Sequence, residues 1–138
     1  MLGVTRTVFL PSVQAAFDTR KSIEETLAAT IASGGIDRAA KQYDELKASE
    51  PGVYNFDEAE LNNLGYQLIG AQKFKEAIRI FQINVEAYPQ SSNVYDSLGE
   101  AYMDDGDKQL AIDNYQRSLE LNPKNSNAVQ MLQKLNMP

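Results

Sequence analysis

Apolar residues recur along this chain at alternating spacings of three and four, the signature of helices with one buried face. Leu61, Leu64 and Leu68 share such a face, and Tyr95, Leu98 and Tyr102 repeat it further on. Behind each set comes a second periodic stretch, Ala77, Ile78 and Phe81, then Ala111, Ile112 and Tyr115. Gly70-Ala71-Gln72 and Asp105-Gly106-Asp107 read as the turns between them, with Asp107 placed to cap the helix that follows. Pro89 and Pro123 close the two pairs, because proline cannot continue the hydrogen-bond ladder. The pattern predicts helices over 57–70, 74–87, 92–104 and 108–121, preceded by helices over 22–33 and 37–49. A last helix over 126–136 is capped by Asn125 or Ser126. It presents Val129, Leu132 and Leu135 to the core and turns Gln130, Gln133 and Lys134 outward.

The two central pairs are copies of one unit. Laying 58–91 over 92–125 gives seven identities at an offset of 34 residues, among them Leu64/Leu98, Gly65/Gly99, Ala77/Ala111, Ile78/Ile112 and Pro89/Pro123. A glycine inside a helix costs about 1 kcal/mol relative to alanine. Gly65 and Gly99 therefore predict close helix crossings, with Ala77 and Ala111 as the small partners. Upstream, Ala39, Tyr43 and Pro51 reproduce the spacing of Ala77, Phe81 and Pro89, which makes 20–53 a degenerate unit. Thr26 and Leu27 stand where leucine and glycine belong, so looser packing is expected there, with Thr26 and Thr30 on the packing face. About four extra residues around Val53-Tyr54-Asn55-Phe56 are expected to bulge between units. Asp57 then restarts the helix as a cap, and Glu60 completes a capping-box pair.

A 34-residue period carrying Leu-Gly, Ala, an aromatic and a closing Pro resembles the tetratricopeptide repeat (TPR) over 58–123. The resemblance implies an all-α fold, a right-handed superhelical solenoid of antiparallel helix pairs ended by a capping helix. It divides the chain into an N-terminal segment at 1–20, readable as the remnant of a junction, and a repeat domain at 21–138. That domain comprises the degenerate unit 20–53, full units 58–91 and 92–125, and a capping helix 126–136. Within the first segment, Thr7-Val8-Phe9-Leu10 reads as extended and Pro11 as the start of a helix.

Composition narrows the chemistry. The 138 residues include no histidine, cysteine or tryptophan. No histidine base, thiolate nucleophile, imidazole or thiolate metal site, or disulfide is available from this chain. Neither Gly-x-Ser-x-Gly nor Ser-x-x-Lys occurs. Asp104, Asp105 and Asp107 fail as a calcium loop, since Ala101, Met103 and Ile112 fall at ligand positions. Gly34-Gly35 lacks the further glycines of a phosphate cradle, and Glu24-Glu25 and Asp44-Glu45 point in different directions on their helices. No enzymatic activity, cofactor or metal is expected. A net charge of −6 and a pI near 4.6 oppose binding to nucleic acid or to an anionic membrane. No apolar run is long enough to cross a bilayer. Pro11, Ser12 and Gln14 interrupt the N-terminal apolar stretch too early for a signal peptide. A soluble protein is expected, and the compartment, cytoplasmic or extracytoplasmic, stays open.

What remains is a surface. The resemblance assigns the concave side to the first helix of each unit, hence to Asn62, Tyr66, Ile69, Asn93, Asp96, Glu100 and Met103. Amides, acids, one aromatic and two flexible apolar side chains suit a protein or peptide partner, although Ile69 and Met103 can equally pack between units. The family's best-known binding mode holds a peptide's terminal carboxylate with basic residues, and none of the seven positions is basic. Asp96 and Glu100 favour a neutral or basic peptide or helix. The excess charge sits in the two full units, where 58–123 carry eleven acids and five bases.

A longer likeness runs through Phe56–Leu68, Phe81–Pro89 and Val94–Tyr102, which resemble the repeat segment at the C-terminus of bacterial serine hydrolases of the β-lactamase-like and esterase types. It implies, as the alternative, an accessory segment whose catalytic domain lies elsewhere. Val8, Phe9, Leu10, Val13 and Phe17 are too apolar for a free tail, and they are expected either to fold over the N-terminal edge or to pair with another copy.

Overall fold

The computed structural model describes residues 18–136. The expectations for Thr7–Leu10, for a helix from Pro11 and for self-association through the N-terminal segment lie outside the described residues. Among the described residues seven helices follow one another: α1 (Ile23–Gly34), α2 (Ile36–Ser49), α3 (Glu58–Gly70), α4 (Phe74–Ala87), α5 (Ser92–Asp104), α6 (Lys108–Leu121) and α7 (Ser126–Leu135). Their limits agree with the expected ones to within one residue. α1/α2, α3/α4 and α5/α6 pack as helix pairs. α1, α3 and α5 stack along one side of the array, α2 packs on α4 along the other, and α7 packs on α6.

The core follows the periodic positions. Leu61, Leu64 and Leu68 of α3 and Ala77, Ile80 and Phe81 of α4 are buried, as are Leu98, Ala111 and Tyr115 in the next unit. Three expectations change. Tyr95 is only half-buried, its hydroxyl donating to the Pro89 carbonyl at 2.9 Å, and Val94 takes the buried place. On α7, Val129 is exposed, and Ala128, Met131, Leu132 and Leu135 pack against Ala111 and Tyr115. In the degenerate unit the packing face is Ile23, Leu27 and Ile31; Thr26 and Thr30 are half-buried, with hydroxyls donating to the backbone carbonyls of Ser22 and Thr26.

The extra residues between the first two units form structure of their own. Tyr54–Asn55 (β2) pairs in parallel with Lys21–Ser22 (β1), and the Lys21 N–H donates to the Val53 carbonyl at 2.8 Å. Phe56 packs edge-on against Tyr43, and its carbonyl accepts from the Tyr88 hydroxyl at 2.7 Å. This pairing redirects the expected capping box. Asp57 sits at the N-cap of α3 without a side-chain cap bond. Glu60 instead reaches α1, where its Oε1 accepts from Ser22 Oγ at 2.7 Å and from the Glu24 N–H at 3.2 Å. Ser22 in turn caps α1 by accepting from the Glu25 N–H. In urea unfolding, Glu60→Ala is expected to cost about 1 to 2 kcal/mol and Asp57→Ala much less; the reverse order would restore the capping box.

Equivalent positions tie the two helices of each full unit together by one device. The Asn84 amide of α4 donates to the Glu58 carbonyl at the start of α3, and Ser118 Oγ of α6 donates to the Ser92 carbonyl at the start of α5. Ser118 also accepts from the Asn125 amide at 2.8 Å, whereas Asn84 Oδ1 has no partner among the described residues.

Candidate functional site

A groove of about 620 Å³ opens where α3, α5 and α7 meet. Helical spacing builds its middle: Asp96 and Glu100 lie one turn apart on α5 and so share a face. Both carboxylates are fixed by neutral donors. Asp96 accepts from the Asn125 amide at 2.7 Å and from the Asn127 amide at 2.8 Å. Asn125 is itself immobilised, because its Oδ1 accepts the Ala128 N–H and caps α7. Glu100 Oε1 lies 3.1 Å from the Tyr66 hydroxyl, which also lies 3.2 Å from Ser97 Oγ. Ser97 Oγ donates to Asn62 Oδ1 at 2.8 Å, and the Tyr66 ring stands edge-on to Phe81 at 5.3 Å. Asn93 and Asn122 are exposed at the rim, beside Ser91 and Ser92.

The groove is electrically one-sided. No Lys or Arg lines it, and neither Asp96 nor Glu100 enters a salt bridge among the described residues. Burial pushes the Glu100 carboxyl above its ordinary value. The Tyr66 hydrogen bond pulls it back, while Asp104 and Asp96 push it further up. Burial likewise raises the Tyr66 phenol, to about 12. No group of three or more candidate metal ligands occurs among the described residues. The groove offers acceptors for cationic or N–H donors, and side-chain amides able to pair with peptide bonds.

The residues singled out from sequence divide. Tyr66, Asn93, Asp96 and Glu100 come together around the groove. Asn62 sits behind it, holding Ser97. Ile69 and Met103 are half-buried against the two apolar clusters and do not line it. Sequence reasoning missed Ser91, Ser92, Asn122, Asn125 and Asn127. The repeat offset was the available signal for two of them, since Asn125 and Asn127 occupy the places of Ser91 and Asn93 one unit on.

The family model described as Tetratricopeptide repeat matches residues 92–125, which form α5, α6 and the turn into α7. The fold is that of a tetratricopeptide-repeat solenoid. Among solved structures, MamA from Desulfovibrio magneticus RS-1, residues 41 to the end, superposes with a TM-score of 0.56 at 23% identity. The match covers 83% of this chain and 62% of that one, so this solenoid spans less than two thirds of it. The first TPR domain of Spaghetti (RPAP3), bound to the HSP90 peptide SRMEEVD, gives a TM-score of 0.57 at 21% identity over 86% of this chain and 94% of its own. The second TPR domain of human RPAP3, in complex with the HSP70 peptide SGPTIEEVD, gives 0.59 at 20% over 85% and 94%. At these identities the likeness is one of fold. No curated protein sequence matches the chain. No helix among the described residues is long and apolar enough to cross a membrane.

Proposed function

We propose that this solenoid is a protein-interaction module, without catalytic activity of its own, that binds an extended neutral or basic peptide across the groove between α3, α5 and α7. The observation that carries this reading is the pair Asp96 and Glu100, held in place by neutral amide and hydroxyl donors and without a cation among the described residues. Preorganised, uncompensated acceptors lower the cost of ordering when a basic side chain arrives. The solved TPR complexes of RPAP3 support peptide binding as a use of this fold. Their peptides end in Glu-Glu-Val-Asp, and a chain of that charge meets repulsion from the two carboxylates of this groove.

Fluorescence anisotropy with short arginine-containing peptides tests the reading. Glu100→Gln keeps an acceptor for Tyr66 and removes one charge, so it is the clean variant. Asp96→Lys would also strip Asn125 and Asn127 of their acceptor. Glu100→Gln is expected to weaken binding about two- to five-fold at low salt, with the difference closing as salt rises. A peptide ending in Glu-Glu-Val-Asp is expected not to bind. Equal affinities of parent and variant for the arginine peptide at low salt would move the site off this groove.

A second reading rests on the likeness running through Phe56–Leu68, Phe81–Pro89 and Val94–Tyr102, and makes the solenoid an accessory segment of a serine hydrolase. A hydrolase domain in the reading frame that precedes residue 1 would establish it. Hydrolysis of model esters by the 138-residue chain alone would refute the absence of catalytic activity.

A further inference from the structure

A second cavity, of about 170 Å³, lies between α1 and α3. Its lining is mostly apolar: Ile31, Leu64 and Leu68 are buried, and Ala28, Ala32 and Ala71 leave the space that larger side chains would fill, with Gln67 and Lys73 as the polar members. An apolar cavity of about 150 Å³ accommodates a benzene ring, so this notch has room for one leucine, methionine or phenylalanine side chain. Tyr66 and Gln67 are consecutive on α3, and the first lines the acidic groove while the second lines the notch. A peptide crossing α3 over these two residues reaches both cavities. Asp96 and Glu100 face one end of that path, the Gln67 amide on it donates to the Glu24 carboxylate of α1, and Lys73, without an ion-pair partner among the described residues, borders the notch.

We propose that the notch between α1 and α3 is an anchor subsite for one apolar side chain of the peptide whose basic residue occupies the α3–α5–α7 groove. This rests on the function proposed above and adds a two-point motif to it. Neighbouring helix axes lie about 8 to 10 Å apart, and the two cavities flank α3 on opposite sides. They are therefore about 10 to 15 Å apart, which an extended chain spans in roughly three to five residues. The motif is a leucine-sized apolar residue and an arginine at that separation. Asp96 and Glu100 lie on the α5 side, so the charged end of the motif points toward α5.

The probe is a set of acetylated, amidated ten-residue peptides of glycine and serine carrying one arginine and one leucine three, four or five residues apart. Binding to the full chain is measured by anisotropy, and contact is mapped by the alanine methyl resonances. Replacing the peptide leucine with serine is expected to weaken binding about ten-fold or more, the fold-change that burying one such side chain supplies. The Ala28, Ala32 and Ala71 methyls are expected to shift with the leucine peptide only. Ala32→Leu and Ala71→Leu start from exposed positions and fill the notch, and in both the leucine and serine peptides are expected to bind alike while the dependence on arginine persists. Retained arginine dependence with equal binding of leucine and serine peptides to the parent would overturn the notch alone. No binding of any peptide, or no effect of Glu100→Gln, would overturn the groove and the notch together.

Discussion

Gly65→Ala is expected to lower the unfolding free energy by about 1 to 3 kcal/mol, although alanine is the better helix former by about 1 kcal/mol. The reason is the ring of Phe81, which occupies the space a side chain at 65 would need. A Cβ built there overlaps Cε1 and Cζ of that ring and lies 2.7 Å from Cδ1. Phe81 is almost fully buried, wedged edge-on against Tyr66, so the ring has little room to yield. The equivalent Gly99 is less constrained, because a Cβ there stands 3.2 Å from the Tyr115 ring. Gly99→Ala is therefore expected to be near neutral, with the helix-propensity gain offsetting a small shift of Tyr115. Urea unfolding of the two single variants and of Gly65→Ala/Phe81→Leu measures this, and the smaller side chain at 81 is expected to recover part of the loss. Equal effects at the two glycines would mean that Phe81 moves as freely as Tyr115. The sequence correctly marked both glycines as close crossings but named Ala77 and Ala111 as the partners. Those alanines are fully buried, yet the aromatic one turn further along each helix makes the contact.

That difference is typical of what a repeat makes legible. Periodicity and the 34-residue offset report where helices run and which side is apolar, because every turn contributes to the signal. Contacts made once do not repeat. The β1–β2 pair joins residues more than thirty apart through two residues on each strand, too short for any alternation to register. Glu60 has the spacing of a capping-box residue and is drawn across to Ser22 and Glu24 because β1–β2 brings the start of α1 beside it. The groove divides along the same line. Tyr66, Asp96 and Glu100 follow from the concave side that the repeat resemblance assigns to the first helix of each unit. Asn125 and Asn127 were hidden because the last helix was read as a plain cover, when its first turn occupies the register of α5 and turns two amides onto Asp96. Ile69 and Met103 show the converse: the resemblance assigns them to the concave side, and they pack against the two apolar clusters instead.

Raising the pH is expected to unfold this protein steeply above about pH 10, the ordinary value for a phenol. Burial raises Tyr43 and Tyr66 to about 12, and raises Tyr88 and Tyr115 as well. Each such phenol ionises first in the unfolded chain. Over that interval the unfolded state binds fewer protons than the native one, and stability falls by up to about 1.4 kcal/mol per pH unit for each of Tyr43 and Tyr66. The fall starts at the unfolded value near 10 and continues to the folded value near 12 for Tyr43 and Tyr66; below pH 10 these groups contribute no pH dependence. Phenolate absorbance and helical circular dichroism are expected to change together in a pH titration, since the buried phenols ionise by unfolding. Tyr43 separates this from general alkaline damage. Its hydroxyl is buried without a partner among the described residues, while its ring packs on Phe56 and lies beneath the Lys47 ammonium. Tyr43→Phe keeps those ring contacts and removes an unsatisfied group, so it is expected to stabilise the protein by about 1 kcal/mol at neutral pH. It should also move the alkaline midpoint upward. An unchanged midpoint in Tyr43→Phe would show that the hydroxyl finds a partner in solution and that its ionisation does not drive the transition.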